Sequence, residues 1–295
     1  MIELSHITKR FDRTCALDDL SLTVPQSVVY GLVGSNGAGK STALRHIMGI
    51  YRPDSGSVSI GGLPVYENPS VKCRIGYIPD DLTELGSESI GELHRFYRAL
   101  YPRFDEARFR ALRDVFQLDE RQPLRRFSKG MQKHALFWLT LCLRADYLVL
   151  DEPVDGLDPV MRRQIWGLVM EDVAAYGTTV LVSSHNLREL EDICDHVGIM
   201  HQGHMLLSRA LTELQENIVK VQLVTEHPLP QELDILHASM LGRVQTLIIR
   251  GRQHAVADAL AASGPMLCDL LPLNLEEIFI YELGGIGYDI KNLVL

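Results

Sequence analysis

The run Gly34-Ser35-Asn36-Gly37-Ala38-Gly39-Lys40-Ser41 constrains this chain more than any other, because it fits G-x-x-x-x-G-K-[ST] and has the flanks that the pattern requires. Val28 to Val33 ahead of it is an apolar, β-rich run that reads as a buried strand, and Thr42 to Met48 behind it reads as a helix. A strand, a glycine loop and a helix in that order let the backbone bend tightly and aim several N–H groups at one point, an anion nest with the positive end of a helix dipole behind it. Lys40 then sets a point charge against phosphate oxygens, and the Ser41 hydroxyl is placed to ligate Mg²⁺.

Composition narrows the setting. The chain has 295 residues, enough for one large or two modest domains, with 46% hydrophobic and 23% charged residues as in ordinary globular proteins. A net charge of −9 leaves no basic excess to neutralise phosphates along a nucleic acid, so no nucleic-acid partner is expected. The five cysteines, Cys15, Cys73, Cys142, Cys194 and Cys268, are odd in number and form no C-x-x-C pair, which argues for a reducing compartment and against a zinc ribbon. The N-terminus lacks the basic and apolar regions of a signal peptide, and no apolar run approaches the ~20 residues of a membrane span. Any membrane part of the process is expected to come from another chain.

Along the sequence, Ile2 to Ser5 and Leu20 to Val24 alternate with period two and predict an antiparallel β region ahead of the glycine-loop strand, and Gly56 to Gly62 reads as another short strand with turn residues at both ends. Ile75 to Pro79 reads as a strand that ends at its proline. From Ser87 to about Arg125 the apolar residues recur at three and four, as in an inserted helical segment. Tyr147 to Leu150 and Thr178 to Ser183 are continuous β runs of the kind that parallel sheets bury. Gly198 to Met200 and His204 to Leu207 flank Gln202-Gly203 as a hairpin, so the H-x-x-H spacing of His201 and His204 marks a turn rather than a metal site. After about Glu216 come strands over Ile218 to Val224 and Val244 to Ile249 and short helices over Ala255 to Ser263 and Asn274 to Tyr281. There is one glycine loop and no internal repeat.

The strand Tyr147 to Leu150 runs into Asp151-Glu152. An acid at the end of a buried strand near a phosphate-binding loop can hold Mg²⁺, directly or through water, and Asp151 is that residue. Glu152 beside it is placed to act as general base on an attacking water.

With these residues in place, the chain resembles the ATP-binding subunit of an ABC transporter. Ser128-Lys129-Gly130-Met131-Gln132, with Phe127 before it, resembles that family's L-S-G-G-Q signature loop. Gly156-Leu157-Asp158 resembles its D-loop, and His185 its switch histidine. Phe11 sits where the family has an aromatic residue stacked on adenine. These motifs come in the family's order and span Ile2 to Leu207. The S-x-G-M form of the signature and the tail Leu275 to Glu282 resemble bacterial subunits of the bacitracin-resistance and acetoin-utilisation exporter type.

The resemblance implies an α/β fold: a P-loop NTPase core of ABC ATPase type with an antiparallel β subdomain, an inserted α-helical subdomain and a small C-terminal α+β appendage. It implies an ATPase domain over residues 1–215, with the helical part at about 87–127, and an accessory domain over 216–295. ATP would be held by Phe11, Gly34, Ser35, Asn36, Gly37, Ala38, Gly39, Lys40, Ser41 and Thr42, and Mg²⁺ by Ser41, Asp80 and Asp151. Glu152 and His185 would be catalytic. A second ATP-binding subunit, identical or different, would bring Ser128 to Gln132 to the nucleotide in trans, and separate transmembrane permease subunits would complete a transporter, an exporter by subgroup. The location implied is cytoplasmic, on the inner face of the cell membrane. Asp80 departs from the family, which has Gln there, and Lys129 and Met131 depart within the signature loop. The alternatives are an ABC-type ATPase in DNA repair or translation, a nucleotide switch without useful turnover, and an unrelated P-loop kinase.

Overall fold

A computed structural model describes residues 1–82, 87–225, 227–230, 232–261, 264–271 and 273–284. The chain opens with β1 (Ile2–Phe11), β2 (Thr14–Val24), β3 (Val29–Val33), α1 (Lys40–Ile47), β4 (Ser55–Ile60), β5 (Leu63–Pro64), α2 (Pro69–Lys72) and β6 (Ile75–Ile78). Helices α3 (Ile90–Leu100), α4 (Glu106–Phe116) and α5 (Lys129–Leu141) follow. Then come β7 (Tyr147–Asp151), α6 (Pro159–Tyr176), β8 (Thr179–Ser184), α7 (Arg188–Glu191), β9 (His196–His201) and β10 (His204–Ala210). The rest is α8 (Leu211–Asn217), β11 (Ile218–Val224), β12 (Asp234–Leu241), β13 (Val244–Arg250), α9 (Gln253–Ala261), β14 (Leu267–Leu271) and α10 (Leu275–Gly284).

The predicted antiparallel region is a four-stranded sheet of order β2-β1-β4-β5. The predicted buried strands form a six-stranded sheet of order β10-β9-β3-β8-β7-β6. In it β3 runs parallel to β8 and β9, and β7 parallel to β8 and β6. Every residue of β3, β7 and β8 is buried, which is why these strands read as unbroken apolar runs instead of alternating ones. The side chains of Ile2, Leu4, Leu20 and Leu22 from the antiparallel sheet share one core with Tyr30, Leu32, Leu44 and Ile47. In the helical segment Trp138 stacks on Phe109 at 4.7 Å, and its indole N–H donates to the Phe109 carbonyl at 2.8 Å.

The molecule divides into two compact units: Met1–His185 with His196–Ser208, and Asn186–Asp195 with the chain from Arg209 on. The second unit thus begins before residue 216 and claims an earlier segment. Polar contacts explain that claim. The Leu275 N–H donates to Glu191 at 3.1 Å, Arg188 pairs with Glu276 at 2.8 Å, and the Leu211 N–H donates to the Asp195 carbonyl at 2.8 Å. The unit's sheet has the order β12-β13-β11-β14, and its core is Val219, Val221, Leu223, Leu247, Ile249, Val256 and Leu260. The helix expected over 255–263 runs Gln253–Ala261, and Ala262 and Ser263 lie outside the described residues.

Candidate functional site

The site gathers where β3, β7 and β8 end. Between β3 and α1 the glycine loop turns so closely on its neighbours that side chains are excluded. A Cβ on Gly34 would sit 2.5 Å from the Met200 carbonyl oxygen, and one on Gly39, whose φ is +104°, would sit 2.7 Å from the Ala16 oxygen. Gly39 precedes the first residue of α1, so the free N–H groups of the helix face the loop. Lys40 is 6% exposed. Its ammonium donates to the Gly34 carbonyl at 2.6 Å and lies 3.3 Å from Glu152 Oε1. Ala38 is buried, while Asn36 and Gly37 are exposed at the tip of the loop.

Asp151 closes β7 and is 2% exposed. It accepts from Ser183 Oγ at 2.6 Å and from the Ser41 hydroxyl. Burial pushes its carboxyl above the ordinary range, and those hydroxyls pull it back. Glu152 takes a left-handed backbone conformation with φ 45°, uncommon for a residue with a side chain. Its N–H donates to the Ser183 carbonyl at 3.2 Å and to Ser183 Oγ at 3.1 Å. Its Oε2 lies 2.8 Å from His185 Nδ1 and accepts the His185 backbone N–H at 3.3 Å. So Lys40, Asp151, Glu152 and His185, far apart in sequence, meet at one end of the parallel sheet, where open α/β sheets bind ligands.

The remaining predicted residues make contacts of their own. Phe11 ends β1, 40% exposed, edge-on to Tyr51 at 5.2 Å. Asp80, just past β6, sets Oδ1 3.6 Å from Lys133 Nζ and adds to the negative field on Asp151. Ser128 caps α5 by accepting the Met131 N–H at 3.3 Å, and Gln132 donates to the Leu124 and Phe127 carbonyls at 3.0 and 3.2 Å. Lys129 and Met131 are exposed in the first turn of that helix. A Cβ on Gly130 would come within 3.2 Å of the Gly156 carbonyl oxygen, so the loop at Ser128 and the loop at Gly156 to Asp158 are neighbours. Leu157 is buried beside them, and Asp158 caps α6 by accepting the N–H groups of Val160 at 3.1 Å and Met161 at 3.0 Å.

Two residues escape the motif reading. Ser183 is fully buried and joins Asp151 to Glu152; its only signal is a serine near the end of a β run, two places before His185. Lys133 is buried in α5, and its ammonium donates to the Glu152 carbonyl at 2.5 Å; a lysine on the apolar face of a helix was the only mark.

The arrangement has the parts for phosphoryl chemistry: an N–H nest with a lysine, buried hard oxygens, a carboxylate and an imidazole. Residues 17–155 match the family model described as ABC transporter. The ABC transporter ATP-binding protein YtrB of Bacillus subtilis is 31% identical over 288 residues, 97% of this chain and 99% of its own length. The bacitracin transport ATP-binding protein BcrA of Enterococcus faecalis is 31% identical, covering 73% of this chain and 71% of its own. The daunorubicin/doxorubicin resistance ATP-binding protein DrrA of Streptomyces peucetius is 34% identical, covering 74% and 67%. A solved ATP-binding subunit of an ABC transporter aligns with TM-score 0.65 at 26% identity over 73% of this chain and 92% of its own.

Proposed function

The chain belongs to the ATP-binding proteins of ABC transporters, ATPases that power transport, and from that premise we propose how its own residues bind and hydrolyse ATP to drive an exporter. The observation that carries the reading is the setting of Glu152, with Lys40 at 3.3 Å on one carboxylate oxygen and His185 at 2.8 Å on the other. A terminal phosphate seated against Lys40 lies within reach of a carboxylate that can take a proton from water. His185 beside it can donate to the oxygens on which charge develops. The glycine-loop N–H groups hold the other phosphates, and the exposed face of Phe11 offers a platform for adenine.

Mg²⁺ prefers hard oxygen ligands and keeps several waters and phosphate oxygens. Ser41 and Asp151, already hydrogen-bonded to each other, fit that preference, with Asp80 as a further carboxylate reaching it directly or through water. Bound there, the ion neutralises charge on the phosphate oxygens.

The exposed start of α5 and the D-loop are the surfaces by which a second ATP-binding subunit, identical or different, would complete the nucleotide site. Among the described residues no helix is long and apolar enough to cross a membrane. In the proposed transporter separate transmembrane chains form the rest, and this subunit works at their cytoplasmic side. Relatives concerned with bacitracin transport and daunorubicin/doxorubicin resistance favour export. The test has two arms: Mg²⁺-dependent ATP turnover by the purified full chain, and recovery of a multi-span membrane chain with it from solubilised membranes. Absence of turnover sinks the enzymatic half; a soluble partner in place of a membrane chain sinks the transport half.

A further inference from the structure

Lys133 is a buried charge to which the motifs give no role. Its side chain is 5% exposed in the second turn of α5. An ammonium carries three donors and no acceptor, so a buried one must find three oxygens. This one donates to the Glu152 carbonyl at 2.5 Å and the Asp155 carbonyl at 3.1 Å, and faces Asp80 Oδ1 at 3.6 Å. The three oxygens lie on the backbone of the proposed general base, on the D-loop segment and on the loop that follows β6. Glu152 holds a backbone conformation that its side chain disfavours, φ 45°. Ser183 pins its N–H side from β8, and Lys133 pins its carbonyl side from α5. The helix that carries this lysine is the one Ser128 caps, so the signature loop and the aim of Glu152 share one rigid element.

We propose that Lys133 is a positioning residue for hydrolysis: it ties the seating of α5 to the orientation of the Glu152 carboxylate and to the Asp80 loop. Asp80 and Lys133 act as a charge pair spanning the two segments. The inference rests on the reading of Glu152 as the base that activates water.

The test uses the purified full chain with ATP and Mg²⁺. Lys133→Met keeps the length and the apolar stem and deletes the ammonium. Its kcat should fall tenfold or more while the Kd for ATP stays within about twofold, because the contacts of the lysine are to Glu152, Asp155 and Asp80 and not to the glycine loop. Lys133→Gln, which keeps N–H donors for the carbonyls, should recover part of that loss. A merely structural lysine would instead weaken binding and turnover together, and Gln would rescue neither. A folded Lys133→Met with kcat within twofold of wild type overturns the proposal, as does a loss of ATP affinity matching the loss of kcat. Should the Met variant not fold, Lys133→Gln decides alone: a kcat lowered threefold or more at unchanged Kd supports the role, and wild-type kcat overturns it. If wild-type protein itself turns over no ATP, it is the reading of Glu152 that fails; turnover indifferent to Lys133 sinks the lysine alone.

Discussion

The Glu152 carboxylate is shared between a lysine and a histidine, and that sharing makes single-residue effects separable. In Glu152→Gln the shape survives and the proton acceptor is lost, so ATP should still bind while hydrolysis falls by two or more orders of magnitude, in the ~10²–10⁴ range of a general base. Single-turnover hydrolysis measured beside equilibrium binding checks this, and unchanged turnover removes Glu152 from the chemistry. Lys40→Ala acts at the other end. In the proposed site the ammonium serves the phosphates, so a lost charge-assisted contact should weaken ATP binding by about 1.5–3 kcal/mol in calorimetry, with a smaller effect on unfolding. Equal affinity in wild type and variant would count against the assignment. The sequence displayed Lys40, Asp151, Glu152 and His185 because each sits at a motif or at the end of a recognisable strand. It concealed Ser183 and Lys133 because their roles are made by tertiary contacts between segments, and neither residue type in its local pattern announces a partner.

At the scale of elements, the strongest local consistency is in the inserted helices. Ser89 caps α3 in a reciprocal capping box with Glu92, and Asp105 caps α4 by accepting the Arg108 N–H at 2.8 Å. Asp105 also accepts from Arg144 at 2.8 Å, and Arg144 and Arg108 converge on the buried Asp172. Asp105→Ala should cost about 1–2 kcal/mol in chemical denaturation at neutral pH, the usual range for a lost cap. The backbone N–H of Arg108, aided by Arg144, holds the Asp105 carboxyl below the ordinary range. A depressed folded-state pKa stabilises fully above the unfolded value, about 4, and the benefit fades as pH falls through the folded value. The gap between wild type and Asp105→Ala should therefore narrow below about pH 4; a gap that stays constant from pH 7 to pH 3 would show that the charge contributes nothing. Elements of this kind were readable because caps and apolar periodicity are local. Strand β12 was not, since nearly all its residues are exposed and its pairing with β13 supplies the order that its own pattern lacks. Segment 186–195 reads as part of the first domain from sequence for the same reason: its partners Leu211, Leu275 and Glu276 come later in the chain.

At the scale of the whole molecule, the first turn of α5 sets stability against assembly. That turn holds no acid and begins with an exposed lysine. A cation there opposes the helix dipole, so Lys129 costs its own subunit a few tenths of a kcal/mol. Under the proposed sandwich the same ammonium, beside the free N–H groups of a capped helix start, meets the phosphates of the ATP bound by the partner subunit. The two effects predict opposite outcomes for one substitution. Lys129→Glu should raise the unfolding midpoint slightly, because an acid in the first turn complements the dipole. It should also abolish ATP-driven association, because a carboxylate would then face phosphate. The measurement is best made in the Glu152→Gln background, where ATP should not be cleared and the proposed closed dimer should accumulate. Light scattering with ATP should show dimer for Glu152→Gln and monomer for the Glu152→Gln/Lys129→Glu pair. Nucleotide affinity of the separate subunit should stay unchanged, since Lys129 does not reach its own glycine loop in this scheme. A double variant that still dimerises with ATP would remove the lysine from the partner's site and leave its place at the helix start without a functional reason.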